Sequence, residues 1–256
     1  MAELDCESPE SVLCSLATIY GTDERQLSNF FASLDLEEHF RRTNPELPAD
    51  RELQRLLETA IGPQRIAISR TYWFHLTRVP SGTLFGEGIL PLNEALPKVW
   101  AMLDDILAGT HHQAQIRQLR QARVPNSHFN LKVPDRAHWG PYAMLVREIA
   151  FCADSVSNHD YLKLPEIVED ICNGYAQRFG EDIQSTVEQA LAPTIVKFWM
   201  SEPEHTYGLS SAICYAYASR NKEEPRGSAN TCFDGNGQRV PAERIVSISP
   251  ASTRDA

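Results

Sequence analysis

The sequence of 256 residues lacks the short motifs that mark the commonest enzyme families. It contains no Walker loop, no GxGxxG, no HExxH, no GxSxG and no zinc-finger spacing of cysteine and histidine. These absences exclude nucleotide hydrolases, metalloproteases and esterases in their motif-bearing forms.

Paired cysteines and long apolar runs are also missing. The six cysteines lie at positions 6, 14, 152, 172, 214 and 232, and none of them belongs to a CxxC pair. Most have apolar neighbours, which is typical of small core side chains in a reducing compartment. No apolar run approaches the roughly 18 residues of a membrane span, and the first residues are acidic and polar, unlike a secretory signal. We therefore expect a cytoplasmic protein that does not contact a membrane.

Basic residues are in the minority, and the formal net charge is −10 at pH 7. This balance argues against general binding to nucleic-acid backbones. The most basic stretch is residues 111–123, and we expect its arginines, Arg117, Arg120 and Arg123, to line the exposed face of a helix. The histidines at 111, 112, 128 and 138 fit no standard ligand spacing, so we expect no metal site.

A cysteine–histidine nucleophile pair is a weaker candidate. It would join Cys214 or Cys232 to His205, but Cys214 lies within the apolar helical run SSAICYAYA. That position favours a core thiol over a nucleophile.

The order of sequence patterns predicts an α+β fold without regular strand–helix alternation. Residues 1–64 are predicted to form a helical N-terminal segment, whose first helix starts at Ser8-Pro9 and ends at Gly21. This segment is expected to pack on a core, residues 65–249, in which helices flank a mixed, mainly antiparallel sheet. The core strands are predicted at 65–79, 141–151 and 194–200, with a closing hairpin around residues 234–237. Residues 250–256 are predicted to be a disordered tail.

One strand-like stretch, TYWFHLTRVPSGTLFGEGILPL at residues 71–92, places a histidine among aromatic residues. Alternation puts Trp73, His75 and Thr77 on one face of the strand, and such a face suits a ribose or a planar ring. The glycines that follow, such as Gly86 and Gly88, allow a backbone to approach a ligand closely. The alternative is a core histidine followed by an ordinary glycine loop.

This stretch resembles the first signature of ADP-ribosyltransferase-like folds of the diphtheria-toxin, poly-ADP-ribose polymerase and DarT lineage. The shared pattern is two aromatic residues, His75, any residue and Thr77, then a loop and EGILPL. In that family the histidine binds the nicotinamide-side ribose of NAD. The resemblance therefore implies an NAD site with His75 and Thr77. The stretch FHLTRVPSGTLF also has no lysine of the phosphate-binding kind, which leaves anion binding to Arg78 and backbone amides.

The C-terminal stretch CFDGNGQRVPAERIVSI resembles the closing hairpin of the same folds, through Val240-Pro241 and the residues up to Ile245. DarT-type enzymes place a glutamate just before this run. Here the nearby candidate is Asp234, and Glu243 is the alternative although it falls later than the pattern asks. The tyrosine that would stack on nicotinamide is Tyr142 or Tyr207.

Three functional hypotheses follow. The first is an NAD-dependent ADP-ribosyltransferase that modifies a protein or nucleic-acid target, as a toxin or phage-defence factor, without a metal. Its carboxylate would stabilise the oxocarbenium-like state formed when nicotinamide leaves. The second is a non-catalytic protein-interaction or regulatory protein, which the absence of a clear glutamate favours. The third is a hydrolase with an unrecognised site.

Overall fold

A computed structural model describes residues 1–156, 158–201, 207–225 and 227–251. Within these ranges the chain forms ten α-helices and six β-strands, joined by loops and short 3-10 turns. This content confirms the predicted α+β class. None of the described helices is long and apolar enough to cross a membrane. Of the predicted disordered tail, residues 252–256 lie outside the described residues.

The helices and strands follow one another irregularly along the chain. In chain order they are β1 (Ala2–Leu4), α1 (Pro9–Tyr20), α2 (Glu24–Ser33), α3 (Leu36–Thr43), α4 (Ala49–Ile61), β2 (Ile68–Val79), α5 (Leu92–Ile106), α6 (His111–Gln121), α7 (Ser127–Lys132), β3 (Tyr142–Met144), α8 (Glu166–Phe179), α9 (Gln184–Ala190), β4 (Ala192–Ser201), α10 (Tyr207–Arg220), β5 (Cys232–Asp234) and β6 (Ile245–Pro250).

The strands form one mixed, mainly antiparallel sheet, as expected. Its order is β5-β3-β2-β4-β6, and β1 pairs with β2 beside this path. β1 runs parallel to β2, whereas β3 runs antiparallel to it with Phe74 opposite Met144. The first strand was not predicted, because three residues are too few for a recognisable alternation.

The first long helix, α1, begins and ends where the sequence predicted. Ser8 and Ser11 form a reciprocal capping box, in which each side chain accepts a hydrogen bond from the other residue's amide, at 3.2 Å and 2.9 Å. Pro9 occupies the first turn, and Gly21 ends the helix in the left-handed region at φ 63°. Local chemistry alone therefore sets both ends of this helix.

The predicted strand at residues 141–151 is shorter than expected. Only Tyr142–Met144 is extended, and Arg147–Phe151 forms a 3-10 turn. Where the strand ends, the amide of Leu145 donates to the carbonyl oxygen of Thr231 at 3.0 Å and to Asn230 Oδ1 at 3.1 Å, and the amide of Val146 donates to the same Oδ1 at 3.2 Å. A side chain from a distant segment thus takes part in the hydrogen bonding at the end of the strand.

The predicted closing hairpin is wrong. β5 and β6 lie at opposite ends of the strand order and do not pair with each other. The turn after β5 bonds instead to an earlier loop, since Gly235 and Gly237 donate to the carbonyls of Pro141 and Gly140. This pairing with a distant segment overrides the local hairpin signal of Asp234 to Gly237.

The chain divides into two compact units, each assembled from separate segments. The first unit comprises Met1–Phe74, Ala143–Asn158 and Lys197–Phe233. In it, α10 packs against α1, α2 and α4, around fully buried side chains such as Leu16 and Phe31. The predicted division between residues 64 and 65 stays a prediction.

Two buried charges are neutralised inside the first unit. Lys197, 8% exposed, places Nζ 2.6 Å from Asp5 Oδ2 and 2.7 Å from Glu7 Oε2. The carboxylate of Glu52, 2% exposed, accepts hydrogen bonds from Arg55 at 2.8 Å and 2.6 Å. Both groups need these partners, because an isolated buried charge is strongly unfavourable.

The second unit comprises His75–Tyr142, His159–Val196 and Asp234–Ala256. Helices α5, α6, α8 and α9 contribute its apolar core, which includes Trp100, Leu103, Leu119, Ile171 and Val187. The three arginines of the basic stretch at 111–123 are exposed as predicted, but only Arg117 and Arg120 lie on the helix, because α6 ends at Gln121. His75, Tyr142 and Asp234 all belong to this unit.

Candidate functional site

The two segments that carry the sequence resemblance lie side by side. Ile89 of EGILPL and Val240 of VPAERI exchange two backbone hydrogen bonds, each of 2.9 Å. Gly88 permits this contact, because it has φ 83° and a side-chain carbon there would lie 2.0 Å from the carbonyl oxygen of Val240. Residues separated by about 150 positions are thereby joined at one place in the second unit.

His75 lies next to Tyr142. Its Nδ1 is 2.7 Å from the carbonyl oxygen of Tyr142, so the imidazole donates and its proton resides on Nδ1. Burial lowers the pKa of His75 below its usual 6.5, although the hydrogen bond to Tyr142 opposes this shift. At neutral pH the ring is therefore uncharged, and Nε2 is left as an acceptor with no hydrogen-bond partner among the described residues. Such a nitrogen can accept a hydrogen bond from a ribose hydroxyl.

Tyr142 presents an accessible ring beside carboxylates. It is 36% exposed, and its hydroxyl donates to the carbonyl oxygen of Ala137 at 2.8 Å. Burial raises the pKa of Tyr142, and the charges of Asp234, Glu166 and Asp135 raise it further. The ring is therefore available for stacking within an acidic environment.

The position of Asp234 depends on the loop that follows it. The amides of Gly235 and Gly237 donate to Pro141 and Gly140 at 3.0 Å and 2.7 Å. A side-chain carbon at Gly235 would lie 2.6 Å from Pro141 Cδ, so only glycine fits. Asp234 Oδ1 accepts a hydrogen bond from the amide of Asn236 at 2.8 Å, and Oδ2 has no such partner in the described part of the chain. One carboxylate oxygen is thus left for a ligand.

The structure accounts for Arg78 without a ligand. Its Nε donates to the carbonyl oxygens of Glu188 and Leu191 at 2.9 Å and 3.0 Å, and its Nη1 donates to that of Leu162 at 2.9 Å. Thr77 is only 8% exposed. Cofactor binding by these two residues stays a prediction, and the contacts of Arg78 indicate a structural role.

The remaining candidates are not joined to His75 by any described contact. Glu243 lies exposed in a 3-10 turn, Ala242–Arg244. Tyr207 is the first residue of α10 in the first unit, and its side chain lies outside the described residues. His205 of the cysteine–histidine hypothesis also lies outside them. Cys214 is buried, and this burial raises the pKa of its thiol to about 12, as suits a core cysteine.

A second acidic group near Tyr142 was not predicted from the sequence. Glu166, at the start of α8, accepts from Lys132 Nζ at 2.8 Å and from the hydroxyl of Tyr161 at 3.3 Å. Its burial would raise its pKa, but the hydrogen bond and charge of Lys132 outweigh this and lower it. No sequence signal marks Glu166, because an acid in the first turn of a helix is explained by the helix dipole.

Comparisons with known proteins identify no relative of this protein. No family model matches the sequence, and neither the curated proteins nor the solved structures contain a significant match. The function therefore has to be inferred from the residues of the site.

Proposed function

We propose that the protein is an NAD-dependent ADP-ribosyltransferase whose NAD binds at His75, Tyr142 and Asp234. One observation carries the proposal: Tyr142 hydrogen-bonds His75 through its carbonyl and lies within the electrostatic reach of Asp234. The strand and the closing segment that resemble this enzyme class thus contribute to one cluster.

Each of the three residues has a chemical task in this proposal. His75 Nε2 accepts a hydrogen bond from a hydroxyl of the nicotinamide-side ribose. The ring of Tyr142 stacks on nicotinamide. The carboxylate of Asp234 lies on the ribose side and stabilises positive charge.

The reaction is a glycosyl transfer. The bond between C1′ of the ribose and the nicotinamide nitrogen breaks, and nicotinamide leaves with the bonding electron pair. The oxocarbenium-like ribose is stabilised by Asp234 until a nucleophile of the macromolecular target bonds to C1′. The proton lost by that nucleophile passes to the carboxylate or to water. The net charge of −10 makes a target recognised through its phosphate backbone alone unfavourable.

The test measures NAD binding by calorimetry and nicotinamide release by chromatography, using the full-length protein. His75→Gln is expected to weaken NAD binding about fivefold, since one hydrogen bond is worth about 1 kcal/mol. Tyr142→Leu should weaken it as well, whereas Tyr142→Phe, which keeps the ring, should bind as the wild type does.

The acid is identified by comparing three matched amide variants. Asp234→Asn should reduce nicotinamide release about 100-fold with NAD binding retained, because the carboxylate acts mainly on the charge developed during the reaction. Glu243→Gln and Glu166→Gln should stay within about threefold of wild type.

Absence of NAD binding at millimolar concentration would contradict the proposal. Binding without nicotinamide release across a panel of targets would leave a non-catalytic NAD-binding protein instead of a transferase.

A further inference from the structure

A second cluster of polar side chains lies elsewhere in the second unit. His111 and His112 open helix α6, and Glu181 follows the end of helix α8. Their potential metal-ligand atoms all lie within 4.8 Å of one another. His111 Nε2 is 2.8 Å from Glu181 Oε2, and the two imidazole centroids are 3.9 Å apart. Two separate segments thus deliver two nitrogens and a carboxylate to one point.

A hydrogen-bond chain beneath the cluster orients His112. The hydroxyl of Tyr175, a fully buried residue, donates its proton to Gln115 Oε1. The oxygen of Tyr175 must then accept from His112, whose Nδ1 is 2.7 Å away. The proton of neutral His112 therefore resides on Nδ1, which also lies 3.9 Å from Glu181 Oε2, and Nε2 keeps the lone pair that a metal can bind.

The same chain also positions the carboxylate. Gln115 uses its amide nitrogen to donate to Glu181 Oε1 at 3.5 Å, while Glu181 Oε2 faces His111. Gln115 therefore connects the group that orients His112 with the group that holds Glu181. Hydrogen bonds of this kind to the outer atoms of ligands are typical of metal sites. A surface ion pair between a histidine and a glutamate would not need them.

We propose that His111, His112 and Glu181 form a binding site for a divalent transition-metal ion, best satisfied by Zn²⁺. Two imidazoles and one carboxylate are ligands that Zn²⁺ commonly takes, with a fourth position open to water. Hard cations such as Mg²⁺ and Ca²⁺ prefer oxygen ligands and fit this set poorly.

Metal binding requires the side chains to move. Tetrahedral ligands about 2.0–2.1 Å from zinc lie about 3.3 Å from one another, against 2.8 Å between His111 Nε2 and Glu181 Oε2. The side chains of His111 and Glu181 are 65% and 42% exposed, so both can move to the Nε2 side of His112, whose own side chain is 22% exposed and held by Tyr175. The ion takes the place of the hydrogen between Nε2 and Oε2, and the proton of His111 transfers to Nδ1 or leaves.

The test is a calorimetric titration of the full-length protein with Zn²⁺. The double variant His111→Asn with Glu181→Gln is expected to bind one Zn²⁺ fewer than the wild type. His128→Asn is the matched control, because His128 is exposed on α7 in the same unit and does not belong to the cluster. It should bind Zn²⁺ as the wild type does. The chain has free cysteines, including the exposed Cys14 and Cys232, and any thiol-bound zinc persists in both variants.

Tyr175→Phe supplies an independent measurement. It keeps the buried ring and removes the hydroxyl that orients His112, so the affinity of the cluster for Zn²⁺ should fall about tenfold. Far-UV circular dichroism checks that each variant is folded. Equal Zn²⁺ stoichiometry and affinity in the wild type and the double variant would overturn the proposal, as would the absence of saturable binding to the wild type.

Discussion

Replacing Arg78 with methionine is expected to destabilise the second unit by about 2–4 kcal/mol. The guanidinium donates to the carbonyl oxygens of Glu188 and Leu191 near the end of α9 and to that of Leu162 before α8. A hydrogen bond from a charged donor contributes about 1.5–3 kcal/mol. Three such bonds would sum to more, but Nε is shared between two carbonyls and the side chain is only half-buried, which lowers the sum. Methionine retains the apolar part of the side chain, so the loss of stability measures the contribution of the guanidinium hydrogen bonds.

The assay is urea unfolding followed by circular dichroism, in which the midpoint and the slope give the free energy of unfolding. Arg123→Met is the matched control, because Arg123 is exposed and makes one long hydrogen bond of 3.4 Å to Asn130. It should change stability by less than about 0.5 kcal/mol. Arg78→Lys should recover only part of the loss, since an ammonium lacks the planar fork that reaches separate carbonyls.

A loss below about 0.5 kcal/mol in Arg78→Met would refute this account of Arg78. If that variant also lost affinity for NAD, the cofactor-binding role predicted from the sequence would replace the structural one. Loss of stability in Arg78→Met together with near-wild-type behaviour of Arg78→Lys would show that charge, and not the fork, matters.

Three further changes test other parts of the structure. Gly88→Ala should lower the free energy of unfolding in urea by about 2–4 kcal/mol, because φ is 83° and the added carbon would meet a backbone carbonyl at 2.0 Å. Gly86 has open space around it, so Gly86→Ala should change this free energy little. Burial lowers the pKa of His75 below 6.5, so the unfolded chain takes up the proton before the folded protein does as the pH falls. The wild type should therefore lose stability between pH 7 and 5 more steeply than His75→Gln. Parallel plots of unfolding free energy against pH for the two proteins would contradict this. The hydrogen bond from Arg55 lowers the pKa of Glu52 from 4.5 to about 2. The ionised Glu52 therefore stabilises the folded protein above about pH 4.5, and this stabilisation is lost as the pH falls through 2. Urea midpoints should decline less between pH 5 and 2 in Glu52→Gln than in the wild type.

Elements governed by nearby residues were predicted well. The start of α1 at Ser8-Pro9 and its end at Gly21 were correct, because capping bonds join residues three or four positions apart. The strand through His75 was correct for the same kind of reason, since alternation and β-branched content act locally.

Elements that depend on distant partners were predicted poorly. Residues 234–237 are typical of a hairpin turn, yet the amides of Gly235 and Gly237 donate to the carbonyls of Pro141 and Gly140. The strand after Pro141 ends early, where Asn230 and Thr231, far along the chain, accept hydrogen bonds from the next two amides. In neither case does the sequence near the segment indicate its distant partner.

For the candidate site, the sequence by itself determined that His75 lies on an aromatic strand. Only the tertiary structure decided which groups accompany His75: it placed Tyr142 against the imidazole, brought Asp234 near Tyr142, and directed Arg78 to backbone carbonyls. Likewise, it joined His111 and His112 to Glu181, about 70 residues away. The physical reason is range: propensity, capping and alternation act over a few residues, whereas the neighbours of a side chain follow from the packing of the whole unit.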